Sequence, residues 1–438
     1  MNDEDLHSPV NDENALTVPM TPGGPPEWPG ATWIASLNLA ALPTTGAGAP
    51  RRVTLPAPAA DGYTRARVLI RDGYRPLRFA EAAVVDGDLT LELPALEQAA
   101  PAAPAALPPS SVVLCTRDRP DDLRGALRSL QALDYPDFEI VVVDNAPSTD
   151  GTAQVVDEFG DPRIRRVLEQ VPGLASARNA GLRAAAHEIV AFTDDDVVAD
   201  AGWLRGIAAG FARADDVVCV CGTVPSGELR TLSHAYFDWR VSWGENLQSR
   251  VYRLAEPPAD LPLFPFQVGA YGTGANFALR AEAAAAIGAF DERLGAGTAT
   301  RGGEDLDMFF RVLAAGHALA AEPSAIIWHR HRSDSDALLS QAKGYGVGLG
   351  AWLTKVALTK EHRRLALRVV RRRVGAVGRA GAAYASVAAP PAEVTDGLPR
   401  SVGRTEVLSV LGGPRALWRE SRRRPRSTWS AAATGTRR

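Results

Sequence analysis

The chain has 438 residues, 46% of them hydrophobic and 23% charged, which is a globular composition long enough for two or three domains. Only three cysteines occur (Cys115, Cys219 and Cys221), which excludes a disulfide framework and indicates a reducing compartment. The formal net charge of -3 conceals a basic C-terminal region, because residues 360–438 hold 18 Lys and Arg against 5 Asp and Glu.

The N-terminal third is predicted to hold a small β module between two irregular segments. Residues 1–30 are acidic and rich in Pro and Gly, so we expect disorder, and they lack the apolar run of a secretory signal. Residues 31–98 contain short strand-like runs, such as Ala66–Ile70 and Leu89–Leu93, separated by turn residues. Residues 99–110 form a stiff Pro/Ala linker.

A different pattern begins at Ser111, where buried strands alternate with amphipathic helices. The runs SVVLC, FEIVVV and EIVAFT are typical of buried strands, and Pro120 is well placed to start a helix. This order predicts an α/β fold with an open, mostly parallel sheet flanked by helices over residues 111–335. Residues 336–438 are predicted to form a helical, Arg-rich C-terminal region with a disordered end. No stretch is apolar and long enough to predict a membrane-spanning helix.

Three polar clusters follow the predicted strands and should meet at one sheet edge, where open α/β sheets bind ligands. They are Thr116–Arg119, Asp144–Asn145 and Asp194–Asp196. In the last cluster, alternation along the chain places Asp194 and Asp196 on one side. Because adjacent carboxylates repel each other, a positive group must offset them, and such oxygen ligands suit Mg²⁺ or Mn²⁺. A solvated acidic loop is the alternative interpretation.

Later clusters supply candidates for the remaining chemistry. Glu304 and Asp305 begin a helix after a Gly-rich segment, so either a general base under a closing loop or a helix cap is possible for Glu304. His329 directly follows an apolar run and could complete a metal site, whereas a structural histidine is the alternative. The small residues of Gly274–Asn276 permit close approach of the backbone to a ligand.

Taken in order, these motifs resemble the inverting glycosyltransferases of family 2, in their non-processive bacterial form, from Ser111 to about Arg332. The stretches EIVVVDNAPSTDGT, GLASARNAGL, EIVAFTDDD, GGEDLDMFFRVLAAG and WHRH carry the resemblance. It implies a GT-A fold and metal-dependent transfer of a sugar from a nucleoside-diphosphate donor to an acceptor hydroxyl by single displacement. The Gln-x-x-Arg-Trp motif of processive members is absent, so we expect transfer of one or a few sugars in the synthesis of a cell-surface glycan or glycoconjugate.

The resemblance also implies roles for individual residues. Donor binding falls to Thr116, Arg117, Arg119, Asp144, Arg178, Asp194 and Asp195. Binding of the divalent ion, Mn²⁺ or Mg²⁺, falls to Asp196 and His329. Asp305 is the expected catalytic base with Glu304 beside it, and Gly274 and Asn276 lie on the acceptor side.

The expected partners are a UDP- or dTDP-type sugar donor and a hydroxyl acceptor on a sugar, a lipid-linked group or another molecule. The basic tail is expected to contact anionic membrane at the inner face of the cell, in a cytoplasmic protein, and not nucleic acid. Two alternatives remain open. A nucleotidyltransferase is disfavoured because no glycine follows the first strand, and a non-catalytic nucleotide- or glycan-binding protein on the same fold would not need Asp196 and Asp305.

Overall fold

The computed structural model describes residues 16–42, 51–94, 107–241, 243–244, 246–385 and 402–424. The predicted disorder of residues 1–15 and of the C-terminal end, 425–438, lies outside the described residues, as does most of the predicted linker.

The N-terminal module is a six-stranded sheet with strand order β1-β2-β4-β5-β6-β3. Its strands are β1 (Leu16–Thr17), β2 (Thr32–Asn38), β3 (Arg51–Pro56), β4 (Arg65–Asp72), β5 (Arg75–Val85) and β6 (Asp88–Leu93). Strands β2 and β4 pair in parallel, and the other neighbours are antiparallel. In β6, buried and exposed residues alternate strictly, so one face of the strand packs on the module's own core. The predicted strands at Ala66–Ile70 and Leu89–Leu93 are confirmed.

The prediction of disorder was wrong for the described part of the N-terminus, residues 16–30. Met20 is 5% exposed and packs in a cluster with Leu229 and Trp328 of the larger domain. The Gly23 amide donates a hydrogen bond to Glu228 over 2.6 Å. Polar composition was misleading because a few apolar side chains, placed against an existing surface, bury enough area to order the segment.

The second sheet has nine strands in the order β11-β15-β12-β14-β10-β7-β8-β9, with β13 paired to β15. The strands are β7 (Ser110–Thr116), β8 (Phe138–Asn145), β9 (Ile164–Glu169), β10 (Ile189–Thr193), β11 (Val197–Ala199), β12 (Val217–Thr223), β13 (Arg250–Tyr252), β14 (Asn276–Arg280) and β15 (Ala318–His329). Strands β10, β7, β8 and β9 are parallel, whereas β14 runs antiparallel to both of its neighbours. The GT-A-type α/β fold class is thus confirmed, with a parallel half and a mixed half.

Helices cover both faces of this sheet. They are α1 (Pro120–Gln131), α2 (Gly151–Phe159), α3 (Leu174–Ala184), α4 (Trp203–Phe211), α5 (Leu232–Val241), α6 (Ala281–Ala286), α7 (Glu304–Ala314), α8 (Ser335–Leu358), α9 (Lys360–Ala385), α10 (Val402–Ser409) and α11 (Gly413–Arg423). Leu127 of α1 and Ile207 of α4 belong to the core on one face, and Ala177 of α3 and Phe309 of α7 to the core on the other. Because both faces are covered, every residue of β7 is buried.

The parallel register brings the polar strand ends to one edge of the sheet. Thr116, the last residue of β7, pairs with Asp144 of β8, and Leu114 pairs with Thr193 at the end of β10. The carboxyl ends of parallel strands point the same way, so the residues that follow them share one crevice. This is the crevice that the three polar clusters predicted.

Helix α8 passes over this crevice with its backbone unusually close to its neighbours. A Cβ atom on Gly346 would lie 2.1 Å from the carbonyl oxygen of Glu406, a residue of α10. On another side of the helix, a Cβ atom on Gly348 would lie 2.7 Å from the carbonyl carbon of Gly302. Glycine is therefore required wherever α8 touches these segments. Among the residues that the structure describes, none of the helices combines the length and hydrophobicity needed to cross a membrane.

Candidate active site

Two adjoining cavities lie at the carboxyl edge of the second sheet, and residues Asp194, Arg301, His329 and Tyr345 border both. The acidic cavity, of about 600 Å³, contains Asp194–Asp196 in its wall. The aromatic cavity, of about 370 Å³, is lined by Tyr236, Phe237 and Trp243. The two cavities together form one continuous site with chemically different ends.

Arginine and histidine side chains lie against the acidic run and offset part of its charge. Asp195 accepts hydrogen bonds from Thr116 Oγ1 over 2.7 Å and from Arg119 Nη1 over 2.5 Å. Arg119 also lies 3.3 Å from Asp196. Asp194 has a different positive partner, Arg178, at 3.5 Å.

The environments of these carboxylates shift their pKa values in opposite directions. Burial, reinforced by the charge of Asp196, raises the pKa of Asp195 to about 7. Burial also raises the pKa of Asp194, although Arg178 opposes the shift. Burial alone would raise the pKa of Asp196, but His329 and Arg119 outweigh it and hold this pKa below its ordinary range. Asp196 is therefore the carboxylate of the run that stays ionised most readily.

Asp196 and His329 face each other with a separation of 3.3 Å between Oδ1 and Nε2. At metal–ligand distances of about 2.1 Å, neighbouring positions of an octahedron lie about 3 Å apart, so the pair fits two ligands of one ion. Within the described ranges, no group of three or more His, Cys, Asp or Glu side chains could hold a metal. A carboxylate and an imidazole beside an open cavity suit a divalent ion that takes its other ligands from phosphate and water.

His331 and Arg332 lie on different sides of this pair. Arg332 borders the acidic cavity, and its Nη2 lies 3.7 Å from Asp196. His331 is 4% exposed, bonds to Ser226 and His329, and borders neither cavity. Burial and the neighbouring His329 ring hold the pKa of His331 well below its ordinary value.

Asp305 and Glu304 begin α7 at the edge of the aromatic cavity but have different surroundings. Asp305 is half-buried and accepts a hydrogen bond from the Gly274 amide over 2.9 Å. Glu304 is 5% exposed and pairs with Arg178 over 2.9 Å. Burial, followed by the charge of Asp305, raises the pKa of Glu304. Glu304 Oε1 contacts Arg178 and its buried Oε2 has no hydrogen-bond partner, so Glu304 serves mainly as the buried partner of an arginine.

Arg178 lies 2% exposed below the point where the two cavities meet. It contacts Glu304 and Asp194, and it donates to the carbonyl oxygen of Gly274 over 2.8 Å. The same glycine donates its amide to Asp305, and a Cβ atom there would lie 3.0 Å from Asp305 Oδ2. Arg178 thus connects the acidic run to the start of α7, and it approaches any ligand from below.

Asn276 does not reach either cavity, so its predicted place on the acceptor side was wrong. The side chain is fully buried, accepts from Trp203 Nε1 over 2.8 Å, and donates to the carbonyl oxygens of Thr223 and Ala325. These bonds use its hydrogen-bonding groups to connect β14 to the neighbouring elements. Gly274 does border the aromatic cavity.

Of the remaining predicted donor residues, two border the acidic cavity and one does not. Arg117 borders the cavity with its side chain 49% exposed, and Thr116 borders it as well. Asp144 lines neither cavity; it is 1% exposed, and its Oδ1 has no hydrogen-bond partner. Burial raises the pKa of Asp144, with Arg166 opposing the shift from 3.4 Å. An unpartnered buried oxygen beside the cavity suits a donor group on a ligand.

The Gly-rich segment 295–303 is held from outside by the C-terminal helices. The Ala299 amide donates to Glu420 Oε1 over 3.0 Å, and Glu420 is 2% exposed. Arg424 Nη1 donates to Ser176 Oγ over 3.0 Å, at the start of α3. Residues 402–424, which lie in the predicted helical, Arg-rich C-terminal region, therefore pack beside the site.

Sequence reasoning missed several residues of the aromatic cavity. Tyr345 of α8 borders both cavities, and Arg301, in the left-handed backbone region with φ of 61°, does the same. Tyr236 and Trp243 line the aromatic cavity, together with Glu406 of α10. One available signal was the repeat GYGVGLG, since alternate glycines inside a helix indicate close contact with other backbone segments.

Comparison with known proteins identifies the family of this region. The family model described as Glycosyl transferase family 2 matches residues 111–285. The pre-mycofactocin glycosyltransferase of Mycobacterium tuberculosis is 30% identical over 317 residues, covering 68% of this chain and 57% of that protein. The validoxylamine A glucosyltransferase of Streptomyces hygroscopicus is 36% identical over 127 residues, covering 28% of this chain and 30% of that protein. The chain thus spans between about a third and somewhat over half of these relatives.

Among solved structures, the mannosyltransferase PcManGT from Pyrobaculum calidifontis, in complex with GDP-Man and Mn²⁺, aligns with a TM-score of 0.46 at 18% identity. The alignment covers 74% of this chain and 90% of that one.

Proposed function

Residues 111–285 place this chain in glycosyltransferase family 2, and from that premise we propose that it is a metal-dependent, inverting sugar transferase. The donor is a nucleoside-diphosphate sugar of the UDP or dTDP type. The acceptor is a hydroxyl group that enters the aromatic cavity, on a sugar, a lipid-linked group or another molecule. The product belongs to a cell-surface glycan or glycoconjugate.

One observation carries the proposal: the acidic and aromatic cavities meet at Asp194 and His329, and Asp305 borders only the aromatic one. A donor whose diphosphate lies in the acidic cavity would present its sugar at this junction. An acceptor hydroxyl arriving through the aromatic cavity would pass Asp305 before it reached the anomeric carbon. Single displacement with inversion needs this arrangement, because nucleophile and leaving group must lie on opposite sides of the reacting carbon.

Asp305 is proposed as the general base. It is half-buried and one oxygen accepts from the Gly274 amide, so the carboxylate has a fixed orientation at the cavity wall. It takes the proton of the acceptor hydroxyl as the new glycosidic bond forms and the nucleoside diphosphate leaves. Glu304 and Arg178 lie behind it and position the start of α7.

Asp196 and His329 would hold the divalent ion, which when bound offsets the charge that develops on the leaving diphosphate. Arg119 and Arg332 lie 3.3 and 3.7 Å from Asp196, so their guanidinium groups can turn to phosphate oxygens. Asp194 is proposed to bond the ribose. The unpartnered Oδ1 of Asp144 is proposed to accept from the N–H of a pyrimidine base.

We further propose that the protein acts in the cytoplasm and touches anionic membrane peripherally. Leu358, Leu367 and Val370 are 72%, 50% and 47% exposed on the last residues of α8 and on α9, among several arginines. Exposed apolar side chains beside basic ones suit the interface of an anionic bilayer. Co-sedimentation with phosphatidylserine vesicles should fall when Leu367 and Val370 are both changed to Ser, and unchanged binding would reject the contact.

A donor screen tests the proposed function. Full-length protein is mixed with Mn²⁺ and a panel of UDP-, dTDP- and GDP-sugars, and release of the nucleoside diphosphate is measured with and without chelator. We expect hydrolysis or transfer with at least one UDP- or dTDP-sugar, abolished by chelator. Tight binding of the nucleotide without turnover would favour a non-catalytic binding protein. Release of pyrophosphate from a nucleoside triphosphate and a sugar phosphate would favour a nucleotidyltransferase.

A further inference from the structure

A continuous hydrogen-bond relay connects His329 to the N-terminal module. His329 Nδ1 lies 2.9 Å from His331 Nδ1, and His331 Nε2 lies 2.8 Å from Ser226 Oγ. Ser226 Oγ donates to Asp238 Oδ1 over 2.6 Å. The relay ends at Arg67 of β4, which donates to Asp238 Oδ2 over 2.7 Å. It therefore crosses from one sheet to the other.

Counting donors fixes the direction of each hydrogen bond. Asp238 accepts from Arg67 through one oxygen and from Ser226 through the other, so the single hydroxyl hydrogen of Ser226 is used in this bond. The Ser226 oxygen must then accept from His331 Nε2, which leaves a neutral His331 ring with a bare Nδ1. That nitrogen can only accept from His329 Nδ1–H. In neutral His329 the proton is therefore on Nδ1 and the lone pair on Nε2.

Nε2 is thus the His329 nitrogen left for a metal, and it faces Asp196 at the proposed metal position. This nitrogen lies 3.3 Å from Asp196 Oδ1, in the pair that fits two ligands of one ion. An imidazole binds a metal only through an unprotonated nitrogen, and a partner for its other nitrogen holds the tautomer and the orientation of the ring. The opposite tautomer would place a hydrogen on the nitrogen that should coordinate.

We propose that Arg67 and Asp238, acting through Ser226 and His331, are positioning residues that hold His329 in its metal-binding tautomer. This inference rests on the proposed metal-dependent function. It also gives the N-terminal module a role, because the module supplies the arginine on which the relay ends. The module thus contributes to the metal site, although none of its described side chains borders either cavity.

Packing around the relay supports a fixed geometry. Ser226, His331 and His329 are 5%, 4% and 8% exposed, so water does not compete for their hydrogen bonds. The Phe237 ring packs on His331 with ring centroids 4.3 Å apart, next to Asp238 in α5. The module is docked close by, since Ile34 and Leu69 of its strands pack on Ile326 and Trp328 of β15. Strand β15 leads directly into His329.

The first experiment measures Mn²⁺ affinity of the full-length protein by calorimetry, with UDP present. Arg67→Met and Asp238→Asn should each weaken Mn²⁺ binding by about 10- to 100-fold, the range typical for loss of a group that orients a metal ligand. Arg67→Lys, which keeps the charge, should restore most of it. The matched control is Arg71→Met, because Arg71 also lies on β4 and pairs across the domains with Asp200 over 2.6 Å, outside the relay.

Wild-type Mn²⁺ affinity in Arg67→Met would overturn the relay. An equal loss of affinity in Arg71→Met would also overturn it, because the module would then act only through docking. A second readout is independent of metal: ¹⁵N spectra of histidine-labelled, metal-free protein at alkaline pH, with His329 assigned through His329→Gln. We expect the Nδ1–H tautomer in the wild type and its loss in Arg67→Met; an Nε2–H tautomer in the wild type overturns the inference. If the wild type shows the expected tautomer but binds no Mn²⁺, the proposed metal dependence fails instead.

Discussion

The two cavities differ in how the chain builds them. The acidic cavity is formed largely where β7 and β10 end, so its charged residues follow directly from neighbouring parallel strands. The aromatic cavity collects its wall from α5, the start of α7, α8 and α10, which are far apart in the sequence. The acidic cavity is lined mainly by charged and polar side chains, whereas the aromatic cavity adds an aromatic surface to its charged residues. Sheet topology fixes the first cavity, and helix packing fixes the second.

The contrast explains what the sequence could predict. The run Asp194–Asp196, after an apolar strand, was informative because parallel strands end at a common edge whatever their connections. His329 was found for a related reason, since β15 ends there and pairs with β11, which follows the acidic run. In both cases the local sequence carried the signal that positions the residue.

Where prediction failed, the decisive contacts were distant in sequence. Asn276 was assigned to the acceptor side because small residues precede it, but its partners Trp203, Thr223 and Ala325 come from three other segments. Tyr345 and Glu406 line the aromatic cavity only because α8 and α10 fold back over the sheet. No local sequence pattern predicts that a helix folds back over the sheet. Only the glycines of α8 indicated that another segment packs closely against this helix.

The largest expected effect concerns Asp305, the proposed base at the wall of the aromatic cavity. Asp305→Asn should lower kcat for transfer by about 10²- to 10⁴-fold, because the amide cannot take the acceptor proton. Donor affinity should stay within about twofold, because the acidic cavity is intact. Transfer kinetics measure kcat, and calorimetry of the nucleoside diphosphate with Mn²⁺ measures the donor affinity. Glu282→Gln, an exposed carboxylate in the first turn of α6, is the control, and full activity of Asp305→Asn would reject its role as base.

A change in the acidic cavity should have the opposite effect, a loss of metal-dependent nucleotide binding. Asp196→Asn should abolish the effect of Mn²⁺ on binding of the nucleoside diphosphate, a loss of at least about 100-fold in its presence, because one of two protein ligands is weakened. Without metal, the variant and the wild type should bind the nucleotide similarly. Calorimetry with and without Mn²⁺ provides both values. Retained Mn²⁺-dependent binding would move the metal away from Asp196.

A change at Arg178 tests how far its buried ion pair with Glu304 stabilises the protein where the two cavities meet. Arg178→Met leaves Glu304 buried without its partner, so unfolding free energy should fall by about 3 to 5 kcal/mol in urea denaturation. Adding Glu304→Gln should recover part of this loss, since no uncompensated charge then remains. Arg128→Met, at an exposed position of α1, serves as control. Additive losses in the double variant would show that the two side chains act independently.

The smallest effect is the pH dependence contributed by Asp195. The pKa of Asp195 is about 7 in the folded protein and lies above its value in the unfolded chain. Between these two pKa values the folded protein therefore keeps a proton on Asp195 that the unfolded chain has lost. Its contribution is present below about pH 4 and is lost as pH rises through about 7, with a slope of at most about 1.4 kcal/mol per pH unit. Asp195→Asn should therefore flatten the stability profile of metal-free protein across that window. Parallel urea titrations of both proteins measure it, and identical slopes would refute the shift.

The packing of residues 402–424 beside the site has a consequence for biosynthesis. Glu406 and Arg424 leave the ribosome after every other residue of the site, and Arg424 bonds to Ser176, 248 residues earlier. Domains emerge and fold from their N-terminal ends, so the acidic cavity can form while Glu406 is still missing from the wall of the aromatic cavity. A nascent chain at that stage would hold a nucleotide beside an unfinished wall. Competence for the proposed transfer would thus be reached only after residues 402–424 have been made and packed.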